Sequence, residues 1–517
     1  MQSTSLIKSF RLSFLPPLMV YVAAGISGLT SIVGTFFVKE YLGLSAQFLA
    51  GLSFWIVLPW TLKMPVGHVV DLMWRWKESF VFLGAALLAL GICIMMGLLL
   101  HPEAMRMIMP AEHWYVLAAL LSPIGYMLQD VVADAMTVEA VPHREADGSE
   151  ISADDLRSMH TTMQTLGRIA VVGGTIVVAL VNVGILSGVE ALPAIDRAGA
   201  YFKVYLFALG IPLISIAGVA FASIQKRRAG LAHVRPRAPV TVNWWVIGGG
   251  AAFAVVSVSV GLSDLKYGQE IVFVASFSIV LALIVRLFRE LEPSARATLA
   301  GTALVIFMYR AVPSPGAGAT WWAIDVLGFD QSFLAKLSML AGLVALAGLV
   351  AYRRFLAHRS IYFIVAVLTV LGSVMSLPQI GMFYGLHTWT AAHTGGVIDA
   401  RFIALLDTAL ESPLGQIAIV PMLAWIANSA PDNLKATYFA VMASFINLAL
   451  SAGHLATKYL NQMFVVTREV KDAASGSIKV AADYSEMGAL FVTCGIVGLL
   501  VPLAVIALAR AVQLRGA

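Results

Sequence analysis

The residues of this chain that could do chemistry are charged side chains that interrupt long apolar segments. Asp130 and Asp134 are four residues apart, so a helix would place both carboxylates on one face. Arg168 lies in the next apolar segment, and at a rise of about 1.5 Å per residue its depth matches that of Asp130. A charge inside a bilayer costs about 2.5–3.5 kcal/mol on insertion scales, so each of these groups requires a partner, a water-filled cavity or a task.

Two interpretations of Asp130, Asp134 and Arg168 stay open from the sequence alone. In the functional one, a carboxylate exchanges a proton, or Arg168 leaves its carboxylate partner to take an anionic substrate group. In the structural one, Asp130 and Arg168 form a permanent ion pair that locks two helices together, because buried pairs of this kind also occur without chemistry. We therefore treat all three residues as candidates for substrate binding or proton coupling.

A second set of polar groups follows in the later part of the chain. Asp407 and Glu411 are again four residues apart and precede Ser412-Pro413, where proline can break or kink a helix. Two carboxylates near a kink favour a gating or proton site, although Asp407 can also lie at the membrane boundary. Arg310 can neutralise either one, attract an anion or extend to the headgroups. Asn447 is an intramembrane amide that can contact a substrate or bridge two helices.

The end of the second apolar segment carries a candidate gate. Gly67 permits close approach of a neighbouring helix, and Asp71 can hold the end of that helix in one gating state. The basic residues Arg75 and Lys77 follow in the connecting loop. The structural and functional interpretations coincide for these four residues.

The elements that must position these residues are predicted to be membrane-spanning helices. Of the 517 residues, 59% are hydrophobic and only 12% are charged, whereas a soluble domain needs a polar surface. Cys93 and Cys494 lie inside apolar segments without a metal-ligand spacing, and His387 and His393 lack one as well. We therefore expect an all-α, multi-pass protein of the inner cell membrane with neither a metal nor a cofactor.

Fourteen apolar segments are close to the roughly 20 residues that a helix needs to cross a bilayer. They are 15–38, 46–64, 80–100, 114–138, 159–186, 201–224, 244–262, 271–287, 297–312, 333–352, 361–382, 402–427, 436–460 and 487–509. They predict an N-terminal six-helix half at 1–224, a basic connector with an extra two-helix hairpin at 225–296, and a C-terminal six-helix half at 297–517. Two such halves match transporters that hold substrate at mid-membrane.

Loop charges predict the orientation of the chain. An even number of spans places both termini on one side, and Lys and Arg are concentrated in the loops of that side, above all in the cluster from Lys226 to Arg237. Both termini are therefore predicted to be cytoplasmic. The formal net charge of +5 is better explained by this orientation signal and by contact with anionic lipid than by nucleic acid.

Several short segments occur in the order and spacing of a known family. They are Phe37–Ser45, Leu58–Trp60, Lys63-x-Pro65-x-Gly67-x-x-x-Asp71, Asp130-Val-Val-Ala-Asp134-Ala, Arg168, Ala311–Pro315, Leu327–Phe329 and Thr437–Ala440 with Asn447. In this order they resemble the folate-biopterin transporter family of the major facilitator superfamily. The resemblance implies a major-facilitator-like carrier and suggests a folate or pterin as cargo. The hairpin at 244–287 departs from the family pattern, as does Arg310, which stands where an uncharged polar residue is expected.

The sequence thus predicts a secondary transporter rather than an enzyme. It would move a small organic, anionic solute by alternating access as a monomer, with proton coupling (symport) as a hypothesis that depends on Asp130, Asp134 and Glu411. One alternative is a membrane receptor or assembly factor on a carrier fold, since a fold does not settle a function. The other is a membrane-embedded enzyme, which would need His, Asp or Glu clustered at a membrane face.

Overall fold

The structure is a computed structural model. It describes residues 10–42, 44–141, 149, 151–189, 192, 194–229, 242–261, 263, 265–288, 293–351, 360–412, 414, 435–471 and 478–512. The described helices are α1 Leu15–Ile26, α2 Ser31–Tyr41, α3 Ala46–Val57, α4 Lys63–Leu72, α5 Lys77–Leu100, α6 Pro102–Ile108, α7 Ala111–Ala140, α8 Ala153–Leu186, α9 Ala194–Ala208, α10 Gly210–Ala229, α11 Trp244–Gly261, α12 Gly268–Phe288, α13 Pro293–Arg310, α14 Ala317–Asp325, α15 Gln331–Ala351, α16 Ile361–Met375, α17 Leu377–Phe383, α18 Leu386–His393, α19 400–412, α20 Lys435–Met463 and α21 Met487–Ala511.

Local sequence signals explain where several of these helices begin. Pro16 and Pro17 stand in the first turn of α1, where their missing N–H groups are not needed. Ser45 caps α3 by accepting a hydrogen bond from Phe48 N at 3.1 Å, and Ser360 caps α16 from Phe363 N at 3.3 Å. The caps satisfy backbone donors that would otherwise be left open at a helix end.

Eleven helical segments in the described part of the chain are long and apolar enough to cross a membrane. They are Leu12–Val38, Ala46–Leu72, Trp74–Leu100, Ala111–Thr137, Thr165–Leu186, Asp196–Gln225, Trp244–Gly261, Gly268–Arg286, Gln331–Gly348, Ile361–Phe383 and Met487–Ala511. The prediction of a helical, multi-pass membrane protein is therefore confirmed.

Three predicted spans are not among these eleven. Helices α13 and α20 occupy most of the spans predicted at 297–312 and 436–460. The span predicted at 402–427 begins as α19, and its continuation from 415 lies outside the described residues. The count of fourteen, the division into 1–224, 225–296 and 297–517, and the cytoplasmic termini stay predictions.

The chain forms two compact units. Unit 1 consists of Met1–Val33 and Pro65–Ile247, and unit 2 consists of Gly34–Met64 and Gly248–Ala517. Unit 2 thus combines the end of α2 and all of α3 with the later helices.

Glycine permits the closest helix packing in unit 1. A Cβ built at Gly25 of α1 would lie 2.2 Å from Val171 O of α8. A Cβ built at Gly84 of α5 would lie 2.5 Å from Gly125 O of α7, and the reverse distance is 2.6 Å. Such distances exclude any side chain, so these helix pairs meet backbone to backbone, as is typical of membrane helices.

In unit 2, α11 and α12, which are the helices of the extra hairpin, pack onto α3 and α20. One apolar cluster contains Phe54, Leu58, Phe253, Val272 and Leu455, which come from α3 and the turn after it, from α11, from α12 and from α20. The extra hairpin of the sequence is therefore part of the core of unit 2.

The segment between α20 and α21 forms a short β-ribbon. Strands Val470–Lys471 and Ile478–Val480 pair antiparallel, and Thr467 pairs with Asp483 in the same ribbon. Arg468 lies on the inner face of the ribbon, with its guanidinium 5.2 Å from the ring centroid of Trp321. Burial lowers the pKa of Arg468 to about 10, so the side chain stays charged at neutral pH. The ribbon is the described exception to the all-α prediction.

Candidate functional site

The candidate residues of unit 1 converge on Tyr21, which the sequence analysis did not identify. The Tyr21 hydroxyl donates a hydrogen bond to Asp134 Oδ1 at 2.6 Å. Asp130 and Arg168 are both close enough to act on Tyr21 electrostatically. Three predicted residues and one new one therefore form a single polar cluster, in helices α1, α7 and α8.

Asp130 and Arg168, which are predicted to pair with each other, share a neighbour in this structure. Their common neighbour is the Tyr21 hydroxyl. This shared neighbour is compatible with both interpretations of Asp130, Asp134 and Arg168.

The local sequence explains why Tyr21 fits at this position. A Cβ built at Gly167 would lie 3.0 Å from Tyr21 Cε2, so the residue next to Arg168 must be small. The ring is only 8% exposed and packs in an apolar cluster with Phe14, Leu18 and Met163. The polar cluster is thus held in apolar surroundings, where an electrostatic contact is stronger than in water.

One residue of the candidate gate, Lys77, forms an ion pair. Lys77 Nζ lies 2.6 Å from Glu139 Oε1 and 3.9 Å from the ring centroid of Trp74, and the Lys77 side chain is 5% exposed. The pair joins the first residue of α5 to the last turn of α7. Glu139 was not a predicted candidate, because its position at the end of an apolar segment gave no reason to distinguish it from a boundary residue.

The other three gate residues lie in α4 and in the turn that follows it. A Cβ at Gly67 would make an ordinary contact of 3.8 Å with Val131 Cγ1, so this glycine is not needed for close packing here. Asp71 is half-buried near the end of α4. Arg75 is exposed, with its guanidinium 5.9 Å from the ring centroid of Trp76.

The candidate residues of unit 2 surround a break in a helix. Helix α13 ends at Arg310, and α14 begins at Ala317. Pro313 and Pro315 lack backbone donors, and Gly316 has a φ of +73°, so residues 311–316 cannot continue the helix. Discontinuous helices of this kind form the substrate and ion sites of many secondary transporters, because their unwound backbone groups are free to bind a ligand.

Helix α20 holds the break along one face. A Cβ at Gly453 would lie 3.1 Å from Val312 O and 3.4 Å from Arg310 O. Thr457 Oγ1 accepts a hydrogen bond from Ser314 N at 3.0 Å. One turn further, Asn461 Nδ2 donates to Pro315 O at 3.4 Å. The three α20 residues are four apart, so the unwound chain follows a single helix face from Gly453 to Asn461.

The side chains beside the break form a second polar cluster. Arg310 is half-buried, and its Nε has no hydrogen-bond partner. Tyr309 lies within electrostatic range of both Arg310 and Glu411, and Glu411 acts in turn on Asp407. Asp407 Oδ1 is buried without a partner. The structure therefore brings Arg310, Asp407 and Glu411 into one region of unit 2, as the i, i+4 spacing predicted for the two carboxylates.

Asn447 bridges two elements of unit 2. Its Nδ2 donates to Trp60 O at 3.3 Å, which connects α20 to the short 3-10 turn Leu58–Leu62. This is the bridging role that was one of its two predicted interpretations.

The extra helical pair is attached to unit 2 by polar contacts as well as by its apolar face. Gln269 Nε2 donates to Gly51 O at 3.1 Å. Glu270 Oε1 accepts hydrogen bonds from Lys458 Nζ at 2.9 Å and from the Tyr459 hydroxyl. The start of α12 is therefore fixed to α3 and to α20.

Substitution of Glu270 by glutamine is expected to lower the melting temperature of the purified protein. Hydrogen bonds to a charged group contribute about 1.5–3 kcal/mol, and the side chains of Glu270 and Lys458 are only 22% and 15% exposed. Glu103→Gln is the matched control, because its pair with Arg106 spans 3.5 Å with side chains 86% and 45% exposed. Such surface pairs contribute about 0–1 kcal/mol. Equal melting temperatures for Glu270→Gln and the wild type would contradict this role.

No group of three or more His, Cys, Asp or Glu side chains that could hold a metal ion occurs in the part of the chain that the structure describes. The chemistry of the two clusters is that of carboxylates, hydroxyls and guanidinium groups. Such groups can bind an organic anion and exchange protons.

Comparisons with known proteins agree with this architecture. The chain is 23% identical over 450 residues to the folate-biopterin transporter of Synechocystis sp. (strain ATCC 27184 / PCC 6803 / Kazusa), which covers 86% of this chain and 74% of that protein. The fold of this chain matches a peptide transporter POT solved in complex with sulfate. The TM-score is 0.64 at 15% identity, over 98% of this chain and 96% of that chain. A POT family transporter solved in complex with 5-aminolevulinic acid has a TM-score of 0.63 at 11% identity. That match covers 97% of this chain and 96% of that chain.

These likenesses confirm the major-facilitator-like fold and the prediction of a transporter in place of an enzyme. At 11% and 15% identity, the similarity to the solved structures shows the fold alone. Family membership has stronger support, because the model of the BT1 family matches residues 24–514. Since that match includes nearly every helix described above, this chain belongs to the BT1 family.

Proposed function

We propose that this secondary transporter carries a small organic anion of the folate or pterin class, and that it couples the transport of this anion to protons in a symport mechanism. Transport proceeds by alternating access. The cargo class comes from the name of the Synechocystis relative and from the positive charge at the helix break.

The observation that supports this cargo best is the guanidinium of Arg310. It stands at the end of α13, where the backbone unwinds, and its buried Nε has no acceptor. Leaving a buried donor unsatisfied costs about 1–3 kcal/mol, and more for a charged group, so an anionic acceptor that reaches Arg310 would be bound favourably. Carboxylates are matched to the planar fork of arginine.

Proton coupling is supported by the cluster around Tyr21. Asp134 accepts from the Tyr21 hydroxyl, and Asp130 and Arg168 act on the same hydroxyl. Carboxylates are among the side chains that exchange protons in proteins, so Asp130 and Asp134 are the proton-site candidates of unit 1. Arg168 provides a positive charge that balances such a carboxylate after its proton has been released. Asp407 and Glu411 are the corresponding candidates in unit 2.

The gate residues Gly67, Asp71, Arg75 and Lys77 act through one contact in this proposal. The Lys77–Glu139 pair holds the start of α5 to the end of α7 and breaks when the adjacent entrance opens. Placement in the inner cell membrane, a monomeric state and contact of the basic residues with anionic lipids complete the proposal.

Solute counterflow tests the cargo class without requiring an ion gradient. Liposomes with the purified protein are loaded with unlabelled folate, and the uptake of labelled folate is measured against competitors. Folates and pterins are expected to compete, whereas nucleosides, amino acids and peptides are not. Failure of every solute in this panel to exchange, with a folded protein, would favour a receptor or assembly factor on a carrier fold.

A further inference from the structure

The break between α13 and α14 packs closely against a buried amide. Gly316, with a φ of +73°, precedes the first residue of α14. A Cβ built at Gly316 would lie 3.3 Å from Asn461 Nδ2 and 3.8 Å from Asn461 Oδ1. Because glycine has no Cβ, the break can approach the amide this closely.

The amide of Asn461 is held in one orientation by its donor nitrogen. Nδ2 donates to Thr457 O at 2.9 Å and to Pro315 O at 3.4 Å. Both partners are carbonyl oxygens, which can only accept, so the assignment of nitrogen and oxygen follows from the chemistry. Asn461 is 4% exposed, and its Oδ1 has no hydrogen-bond partner. The break therefore contains a buried acceptor that requires a donor.

Arg310 lies at the other end of the same break. Its carbonyl oxygen lies beside Gly453, which precedes Asn461 by eight residues, or about 12 Å along α20. The break thus offers a positively charged donor at one end and a neutral acceptor at the other. A ligand that satisfies both is an elongated anion whose N–H donors are distant from its acidic group.

We propose that Asn461 determines substrate specificity: its Oδ1 accepts a hydrogen bond from an amino or ring N–H group of the transported anion, while Arg310 binds the acidic group. This assignment rests on the proposed cargo, because a pterin ring carries such N–H donors and a plain aromatic acid does not. A site that loses a hydrogen bond to a buried partner discriminates strongly against the analogue that lacks the donor.

Binding of two probes to the purified protein in detergent tests the proposal by calorimetry. Pterin-6-carboxylate has a flat bicyclic ring with N–H donors, and 2-naphthoate has a flat bicyclic ring without them. The wild type is expected to bind pterin-6-carboxylate at least about ten-fold more tightly, since about 1.4 kcal/mol corresponds to a factor of ten. Asn461→Leu is expected to abolish this preference, because it weakens pterin-6-carboxylate binding more than 2-naphthoate binding.

Asn182 provides a matched control in unit 1. It is fully buried, its Nδ2 donates to Leu29 O at 3.2 Å, and its Oδ1 also has no partner. Asn182→Leu is expected to reduce the melting temperature and to keep the preference between the two probes. Loss of the preference in Asn182→Leu would mean that a general loosening of the fold explains the Asn461 result, which would overturn the proposal.

A second variant addresses the role of Asn461 in holding the break. Gly316→Ala adds a Cβ only 3.3 Å from Asn461 Nδ2 at a φ that alanine rarely adopts, so it displaces the amide without removing it. It is expected to weaken pterin-6-carboxylate binding more than 2-naphthoate binding. Equal losses for both probes in Asn461→Leu and in Gly316→Ala would overturn the assignment. A wild type that binds both probes equally would also overturn it without affecting the proposed function. A wild type that binds neither probe would contradict the proposed cargo itself, and this assignment with it.

Discussion

Arg310→Gln is expected to reduce the apparent affinity for folate at least about thirty-fold in the counterflow assay. The guanidinium stands at the helix break, and its buried Nε has no partner in the protein. Removing one member of a buried charge pair costs about 2–5 kcal/mol, and about 2 kcal/mol corresponds to a factor of thirty. Arg310→Lys keeps the charge but loses the planar fork, so an intermediate loss is expected.

Arg401→Gln is the matched control for Arg310. Arg401 is an exposed arginine of unit 2 that donates to Asp330 Oδ2 and Gly328 O at 3.2 Å each. Its replacement is expected to leave the apparent affinity for folate unchanged, because an exposed pair contributes little. An Arg310→Gln protein with the affinity of the wild type would remove Arg310 from the binding site.

Asp134→Asn is expected to abolish accumulation that is driven by a pH gradient and to keep folate exchange in counterflow. Asparagine can still accept the hydrogen bond from Tyr21, so the local contact survives, but it cannot take up a proton. A gradient of one pH unit stores about 1.4 kcal/mol per proton, which supports about ten-fold accumulation. Asp134→Asn is expected to show no accumulation above the external concentration.

Glu112→Gln provides the comparison for Asp134→Asn. Glu112 is an exposed carboxylate in the first turn of the same helix, so its replacement is expected to leave accumulation intact. Asp130→Asn tests which of the two carboxylates of the cluster takes up the proton. A folded Asp130→Asn protein with full proton-coupled uptake would leave Asp134 as the proton site. Normal accumulation in the Asp134→Asn protein would exclude Asp134.

Much of the fold follows from apolar length alone. A segment of about 20 apolar residues has few alternatives to a transmembrane helix, so the positions of most helices could be predicted within a few residues. The i, i+4 spacing also identified Asp130 with Asp134 and Asp407 with Glu411, because helix geometry is regular. The apolar segment predicted at 297–312 ends within a few residues of the end of α13 at Arg310.

The partners across helices could not be predicted in this way. Tyr21 is one of fourteen tyrosines and lies in an ordinary apolar segment, so only the packing of α1 against α7 and α8 reveals its bond to Asp134. Glu270 and Lys458 are 188 residues apart, and no local pattern connects them. Gly453, Thr457 and Asn461 could have been noticed as a small and polar stripe at helical spacing, but its partner, the unwound segment 311–316, required the structure.

Accumulation of labelled folate in liposomes that contain the purified protein tests the central claim most directly. With an imposed pH gradient, we expect folate to rise inside well above its external concentration and to return to that concentration when a protonophore is added. Equal internal and external concentrations with and without the gradient would contradict a proton-coupled transporter of this cargo.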